Sequence, residues 1–153
     1  MSSTLLTLLV VTLTLAYATS AATPAATLNA NTIKVYTASQ LGLNATAAAS
    51  VFASDAKLTI PLGSPQLLGQ EAIMGFYSQF MSALDELVEI PGQKVFNGDT
   101  FVSYEKEGQL FFKNGQSQTF FAITVWETDP SSPVVDPASG LEFAPIVEGI
   151  ITF

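Results

Sequence analysis

Glu148 is the carboxylate most embedded in apolar sequence, with Val147, Ile150 and Ile151 close by. A carboxyl group in apolar surroundings has its pKa raised and can act as acid or base near neutral pH. Strand alternation puts Ile146, Glu148, Ile150 and Thr152 on one face. Glu148 is therefore a candidate catalytic residue if that face lines a cavity. It is an ordinary solvent-facing residue if the other face is the buried one. Few other groups could do chemistry, because the chain has no His and no Cys, and its only cations are Lys34, Lys57, Lys94, Lys106 and Lys113. Ser-His and Cys-His nucleophile pairs are impossible. A zinc or copper site is not expected. Without Arg there is no guanidinium fork for phosphate or carboxylate. General bases must be Asp or Glu with a raised pKa, or Tyr. Asp and Glu are scattered singly, so no metal site is expected.

A second strand, Gln118 to Glu127, is rich in Phe, Ile, Val and Trp. Phe120, Ala122, Thr124 and Trp126 share one of its faces. If Thr124 faces a cavity, Trp126 lies near the mouth. Tyr104 and Glu105 alternate, so only one can point inward. Glu105 and Glu107 around Lys106 read as a solvated strand or turn. The net charge of −8 disfavours nucleic acid as a partner, since phosphate binding needs a basic face. Attraction to anionic lipid is disfavoured for the same reason.

The elements that must position these residues begin after a leader. Leu5, Leu6, Leu8, Leu9, Val10, Val11, Leu13 and Leu15 form an apolar run, followed by the small residues Ala18 to Ala22. This predicts a secretory signal peptide over 1–21, cleaved after Ser20 or Ala21, and hence a secreted protein with no membrane association after cleavage. The positive charges that usually precede such a run are missing. An anchoring helix is disfavoured, because the apolar core is roughly 14 residues and a span needs ~20. About 130 residues then remain, enough for one domain with a packed core. In the absence of cysteine, packing alone must hold it.

Residues 22–30 read as a flexible Ala/Thr/Pro-rich lead-in. A first helix is predicted over Asn31 to Leu43 with Gly42 as its stop, and a second over Ala45 to Ser54 with Asn44 as N-cap. Asn44-Ala45-Thr46 is also a glycosylation sequon. Lys57 to Ile60 reads as a short strand ended by the Pro61–Pro65 turn. The clearest helix is Gln70 to about Glu86, where Ile73, Phe76, Tyr77, Phe80 and Leu84 form one apolar stripe. Tyr77 reads there as core packing. Strands follow: Leu87 to Phe96 with a bend at Pro91-Gly92, Thr100 to Phe112, Gln118 to Glu127 and Ile146 to Phe153. Asn97-Gly98 and Asn114-Gly115 mark hairpins. Helices followed by hairpin-linked strands make an α+β domain over 31–153.

The block Val51-Phe52-Ala53-Ser54-Asp55-Ala56-Lys57-Leu58-Thr59-Ile60-Pro61-Leu62-Gly63, then Gly69-Gln70-Glu71-Ala72-Ile73, then Phe76-Tyr77, carries a recognisable pattern. It resembles the ketosteroid-isomerase-like and SnoaL-like families of the nuclear-transport-factor-2-like superfamily. The likeness extends over nearly the whole mature chain and is specific between Val51 and Tyr77. It implies a cone-shaped α+β barrel, with three N-terminal helices packed on a strongly curved antiparallel sheet around a deep apolar pocket. It also implies a homodimer through the outer sheet face, as many members of the superfamily form.

In ketosteroid isomerases an Asp base moves a proton while a Tyr and a protonated Asp stabilise the enolate oxygen. The resemblance puts Tyr36 at the Tyr position and Thr124 at that of the protonated Asp. Ile60 stands where the family has its base, and isoleucine cannot replace it. The resemblance therefore implies the fold but not steroid isomerisation. Tyr36 is a candidate hydroxyl donor to a ligand, or else a core aromatic with its OH satisfied. The expected pocket residues are Leu58, Ile60, Phe76, Phe120, Thr124 and Trp126.

Three functions are compatible with these residues. The first is a secreted domain that binds a small hydrophobic molecule without turnover. The second is a cofactor-independent SnoaL-like isomerase, cyclase or dehydratase acting on a polyketide-, terpenoid- or steroid-like substrate, with Tyr36 and Glu148, or Tyr36 and an ordered water, as its acid–base groups. The third is a structural or interaction protein that uses the outer face of the sheet.

Overall fold

The computed structural model describes residues 22–90 and 94–153. The leader expected over 1–21 and the Pro91-Gly92 bend lie outside the described residues. Helix α1 runs Ala25–Leu41, α2 Ala45–Ser50 and α3 Gln70–Ser82. The strands are β1 Phe52–Thr59, β2 Leu67–Leu68, β3 Leu84–Glu89, β4 Lys94–Asn97, β5 Phe101–Phe112, β6 Ser117–Thr128, β7 Val134–Val135, β8 Glu142–Phe143 and β9 Ile146–Thr152. The main sheet has the order β2-β1-β9-β6-β5-β3, and β4 also pairs with β5. The pairing of β1 with β9 is parallel and the other pairings are antiparallel. The result is an α+β domain with helices packed on a mixed, mostly antiparallel and open sheet.

Helix α1 starts six residues before the expected Asn31, so the segment expected to be a flexible lead-in is helical from Ala25. Its small polar residues gave no periodic signal, but tertiary hydrogen bonds hold them. Asn29 Nδ2 donates to Gly98 O at 2.8 Å, and Asn29 Oδ1 accepts from Thr128 Oγ1 at 2.7 Å. Asn31 Nδ2 donates to Glu142 O at 2.8 Å, and Thr32 Oγ1 to Ala144 O at 2.7 Å. These bonds pin the helix across the β4–β5 hairpin and the approach to β9. At the other end Leu43, at φ 48°, makes the left-handed turn after Gly42.

Asn44 caps α2 as expected, its Oδ1 accepting from Ala47 N at 3.0 Å. The helix ends at Ser50 rather than Ser54, because Phe52 already pairs with Ile146 of β9. Helix α3 also ends early, at Ser82. Leu84 therefore belongs to β3, where it pairs with Phe112, and not to the helical stripe. In both places strand pairing overrides a run of residues that would tolerate helix.

Strand β5 organises the sheet. Its first half pairs with β4, Val102 opposite Asn97 and Glu105 opposite Lys94. Its second half pairs with β3, Gly108 opposite Glu89 and Phe112 opposite Leu84. Lys106 sits where one partner strand gives way to the other. The core fills the space between α1, α2, α3 and the concave face, with Tyr36, Phe52, Leu58, Ile73, Tyr77, Tyr104 and Trp126 all buried.

Candidate functional site

A cavity of about 400 Å³ lies between the helices and the sheet. Helix α1 contributes Tyr36 and Gln40, four residues apart and so on one helical face. Helix α3 contributes Phe76, Tyr77 and Phe80. Strand β3 adds Leu87, and β5 adds Lys106, Leu110 and Phe112, which alternate onto the same face. Gln118 and Phe120 come from β6, Ile60 and Pro61 from the end of β1, and Ile151 and Phe153 from the end of β9.

Most of this lining is apolar, but one line of polar groups crosses it. Tyr36 and Tyr77 share a hydrogen bond between phenolic oxygens 2.6 Å apart. Gln40 Nε2 donates to Tyr36 OH at 2.8 Å. Lys106 Nζ donates to Gln40 Oε1. It also forms an ion pair with Glu89 Oε1 at 3.5 Å, the two side chains being 5 % and 9 % exposed. The ammonium stands 5.6 Å from the ring centres of Tyr36 and Phe120, within cation–π range. Five side chains from α1, α3, β3 and β5 thus form one buried chain of contacts.

The protonation states follow from burial. Burial pushes the Tyr36 hydroxyl well above its ordinary pKa, and the neighbouring Tyr77 and Tyr104 add to the shift. Burial raises Tyr77 as well, while its bond with Tyr36 partly offsets the rise. Both phenols therefore keep their protons across the physiological range and act as donors. The bond between them uses one of their two protons, which leaves one O–H to be given to another acceptor. Lys106 shifts the other way. Burial pulls its ammonium down to about 8, with Glu89 holding it up in part. A group poised there can gain or lose a proton near neutral pH.

The residues expected to form the site separate into three groups. Tyr36, Ile60, Phe76 and Phe120 line the cavity. Leu58, Thr124 and Trp126 are buried behind its wall rather than in it. The Trp126 ring packs edge-on against Tyr36, centroids 4.5 Å apart. Glu148 lies away from the cavity, on the exposed side, with Gln66 Nε2 donating to its carboxylate at 3.4 Å. It shares the outer face of β9 with Ile150 and Thr152, and a β-bulge separates it from Ile146. Thr128 pairs with Ile146 and Glu127 with Glu148, so Val147 is an extra residue on β9. The extra residue breaks the alternation that would have put Ile146 and Glu148 on one face. Ile146 consequently joins Gly149 and Ile151 on the buried face, while Glu148 stays on the outer one. Asn44 is exposed at the start of α2.

Lys106, Gln40, Glu89 and the polar role of Tyr77 escaped the sequence reading. Glu105 and Glu107 made the segment look solvated, yet Val102, Tyr104, Lys106 and Leu110 alternate inward along β5. Fixing Tyr104 as the inward member of its pair would have placed Lys106 inside as well. Among the described residues no group of three or more Asp or Glu side chains is placed to hold a metal ion.

No protein-family model matches the chain, and no curated protein matches it. Solved structures do. A protein of ketosteroid isomerase-like fold from Catenulispora acidiphila, crystallised with trimethylamine, superposes with a TM-score of 0.61 at 15% identity, over 82% of this chain and 86% of that one. A nuclear-transport-factor-2-like protein of unknown function from Burkholderia pseudomallei gives a TM-score of 0.62 at 15% identity, over 82% and 89%. SalBIII, an epoxide hydrolase/cyclase-like enzyme with a role in pyran ring formation in salinomycin, gives 0.62 at 15% identity, over 80% and 87%. The chain thus shares its fold with these ketosteroid-isomerase-like and nuclear-transport-factor-2-like structures.

Proposed function

We propose that this chain is a secreted domain that binds one small, mostly apolar molecule in the cavity between its helices and its sheet. One observation carries the reading. The cavity of about 400 Å³ has mostly apolar walls, and its polar lining apart from Gln118 forms a single line, Tyr77–Tyr36–Gln40–Lys106. Sites for small molecules are built this way: apolar area supplies affinity and a few placed polar groups fix orientation. A guest with a hydrocarbon or aromatic body and one oxygen would suit it, the oxygen taking the spare phenolic proton or the Lys106 ammonium. Native mass spectrometry of protein from a secreting host tests this. A small molecule retained by the folded protein supports the reading. A cavity that retains nothing and takes up no apolar ligand on titration overturns it.

A second reading is favoured by the buried Lys106–Glu89 pair. In this reading the domain is a cofactor-independent SnoaL-like isomerase, cyclase or dehydratase, and Lys106 moves the proton. Ile60 in the wall leaves no carboxylate at the family's base position. The cyclase-like SalBIII among the structural neighbours supports the reading at the level of fold. Turnover of a retained ligand class, lost in a Lys106→Met variant that still binds it, separates enzyme from binder.

Three further proposals belong to this reading. The leader directs export, Asn44 carries a glycan, and two copies pair through the outer sheet face. The exposed side chains of Phe121, Ile123 and Val125 on β6, beside Ile150 on β9, support the pairing.

A further inference from the structure

Lys106 is the buried exception among five lysines, since Lys34, Lys57, Lys94 and Lys113 are all exposed. Its amine lines the cavity among aromatic rings, with a carboxylate on one side and a hydrogen-bond acceptor on the other. A surface salt bridge needs no such setting, and a buried one is a weak source of stability. An amine held inside an apolar cavity next to a proton acceptor is the arrangement that makes a lysine nucleophilic toward carbonyl carbon.

We propose that Lys106 captures an aldehyde or ketone ligand covalently, as an imine formed inside the cavity. The proposal rests on the reading of the cavity as a ligand site and names the class of ligand. The ammonium gives a proton to the Glu89 carboxylate. The freed nitrogen lone pair forms a bond to the carbonyl carbon, and the C=O π electrons move to oxygen. That oxygen takes a proton from the new nitrogen centre and becomes a hydroxyl. Glu89 returns its proton to the hydroxyl, which leaves as water while the nitrogen lone pair closes the C=N bond. The product is a protonated imine plus one water, and Glu89 is again ionised. The spare phenolic proton of the Tyr36–Tyr77 pair is placed to hydrogen-bond the carbonyl oxygen as charge builds on it.

The groups facing the amine set its pH response. Glu89 faces it from β3, Tyr36 from α1 and Tyr104 from β5 itself, with Phe120 on β6. The tyrosines stay neutral here, so Glu89 is the partner that matters. Because burial holds the ammonium near 8, an appreciable share of the amine is neutral at mildly alkaline pH.

The test uses cinnamaldehyde with sodium cyanoborohydride, which reduces an imine to a stable secondary amine, followed by intact mass and peptide mapping. The expected result is one adduct per chain, on Lys106, formed about tenfold or more faster than on the four exposed lysines. Its rate should rise with pH around a midpoint near 8. Glu89→Gln should move that midpoint lower, because the carboxylate is what holds it up against burial. Lys106→Met should abolish the adduct. Cinnamyl alcohol, which has no carbonyl, is titrated alongside into each variant and also shows whether Lys106→Met still folds. Binding of the alcohol with label confined to surface lysines overturns the imine and leaves the binding reading standing. Failure of both probes to engage the cavity overturns both.

Discussion

The phenolic oxygens of Tyr36 in α1 and Tyr77 in α3 meet at 2.6 Å, although the two residues are 41 positions apart in sequence. Tyr36 also accepts from Gln40, whereas among the described residues Tyr77 has no second side-chain hydrogen bond. The two hydroxyls are therefore unequal. Tyr36→Phe strands the Gln40 amide and should cost about 1–3 kcal/mol, whereas Tyr77→Phe should cost about 0.5–1.5 kcal/mol. Urea unfolding of both variants checks the order, and a larger loss for Tyr77→Phe would contradict it.

Lys106 and Glu89 neutralise each other inside the protein, at 5 % and 9 % exposure. Removing one partner leaves a buried charge, so Lys106→Met should destabilise by about 3–5 kcal/mol. Replacing both, as Lys106→Met with Glu89→Leu, should recover most of that loss. A double-mutant cycle in urea measures the coupling. Additive losses would show that the two groups do not act as a pair.

Stability should depend on alkaline pH in a particular way. Between about 8 and the ordinary lysine value of 10.5, the unfolded chain holds a proton that folded Lys106 has shed. Stability therefore rises with pH in that window. Tyr36, Tyr77 and Tyr104 all have raised values, so above about 10 the unfolded chain loses phenolic protons that the folded chain keeps, and stability falls. Thermal unfolding across pH 7–11 should show a maximum between these limits. Lys106→Met should remove the rising limb and leave the fall.

Gly108 lies in the middle of β5 with no room for a side chain. A Cβ there would meet Val88 O at 2.5 Å and the Phe120 ring at 2.6 Å. Gly108→Ala should cost about 1–3 kcal/mol by overpacking and displace Phe120 from the cavity wall, weakening ligand binding as well. Unfolding and calorimetric titration of the same variant test the two effects together.

Much of this fold was legible in the sequence where local pattern and tertiary demand agree. The Ile73–Phe80 stripe, the Asn114-Gly115 turn and the Asn44 cap each belong to a short-range motif. The block from Val51 to Tyr77 carried the superfamily resemblance, and Tyr36, Ile60, Phe76 and Phe120 reach the cavity. What was not legible depends on distant partners. The start of α1 is held by hydrogen bonds to Gly98, Thr128 and Glu142. Glu148 is outward because the helices pack on the face of Gly149 and Ile151, and the bulge that moves Ile146 to that face is announced by no pattern within β9. Lys106 was hidden by its acidic neighbours, although those neighbours face the other side of the strand.

The central claim is that the cavity is a ligand site, and calorimetric titration of small apolar alcohols and ketones tests it most directly. Wild type should be compared with Ile60→Trp, which extends a wall residue into the cavity. The account predicts saturable binding to wild type and a loss of about tenfold or more in affinity, roughly 1.4 kcal/mol, in a variant that still unfolds cooperatively. Equal binding to both proteins would place the ligand elsewhere and contradict the account.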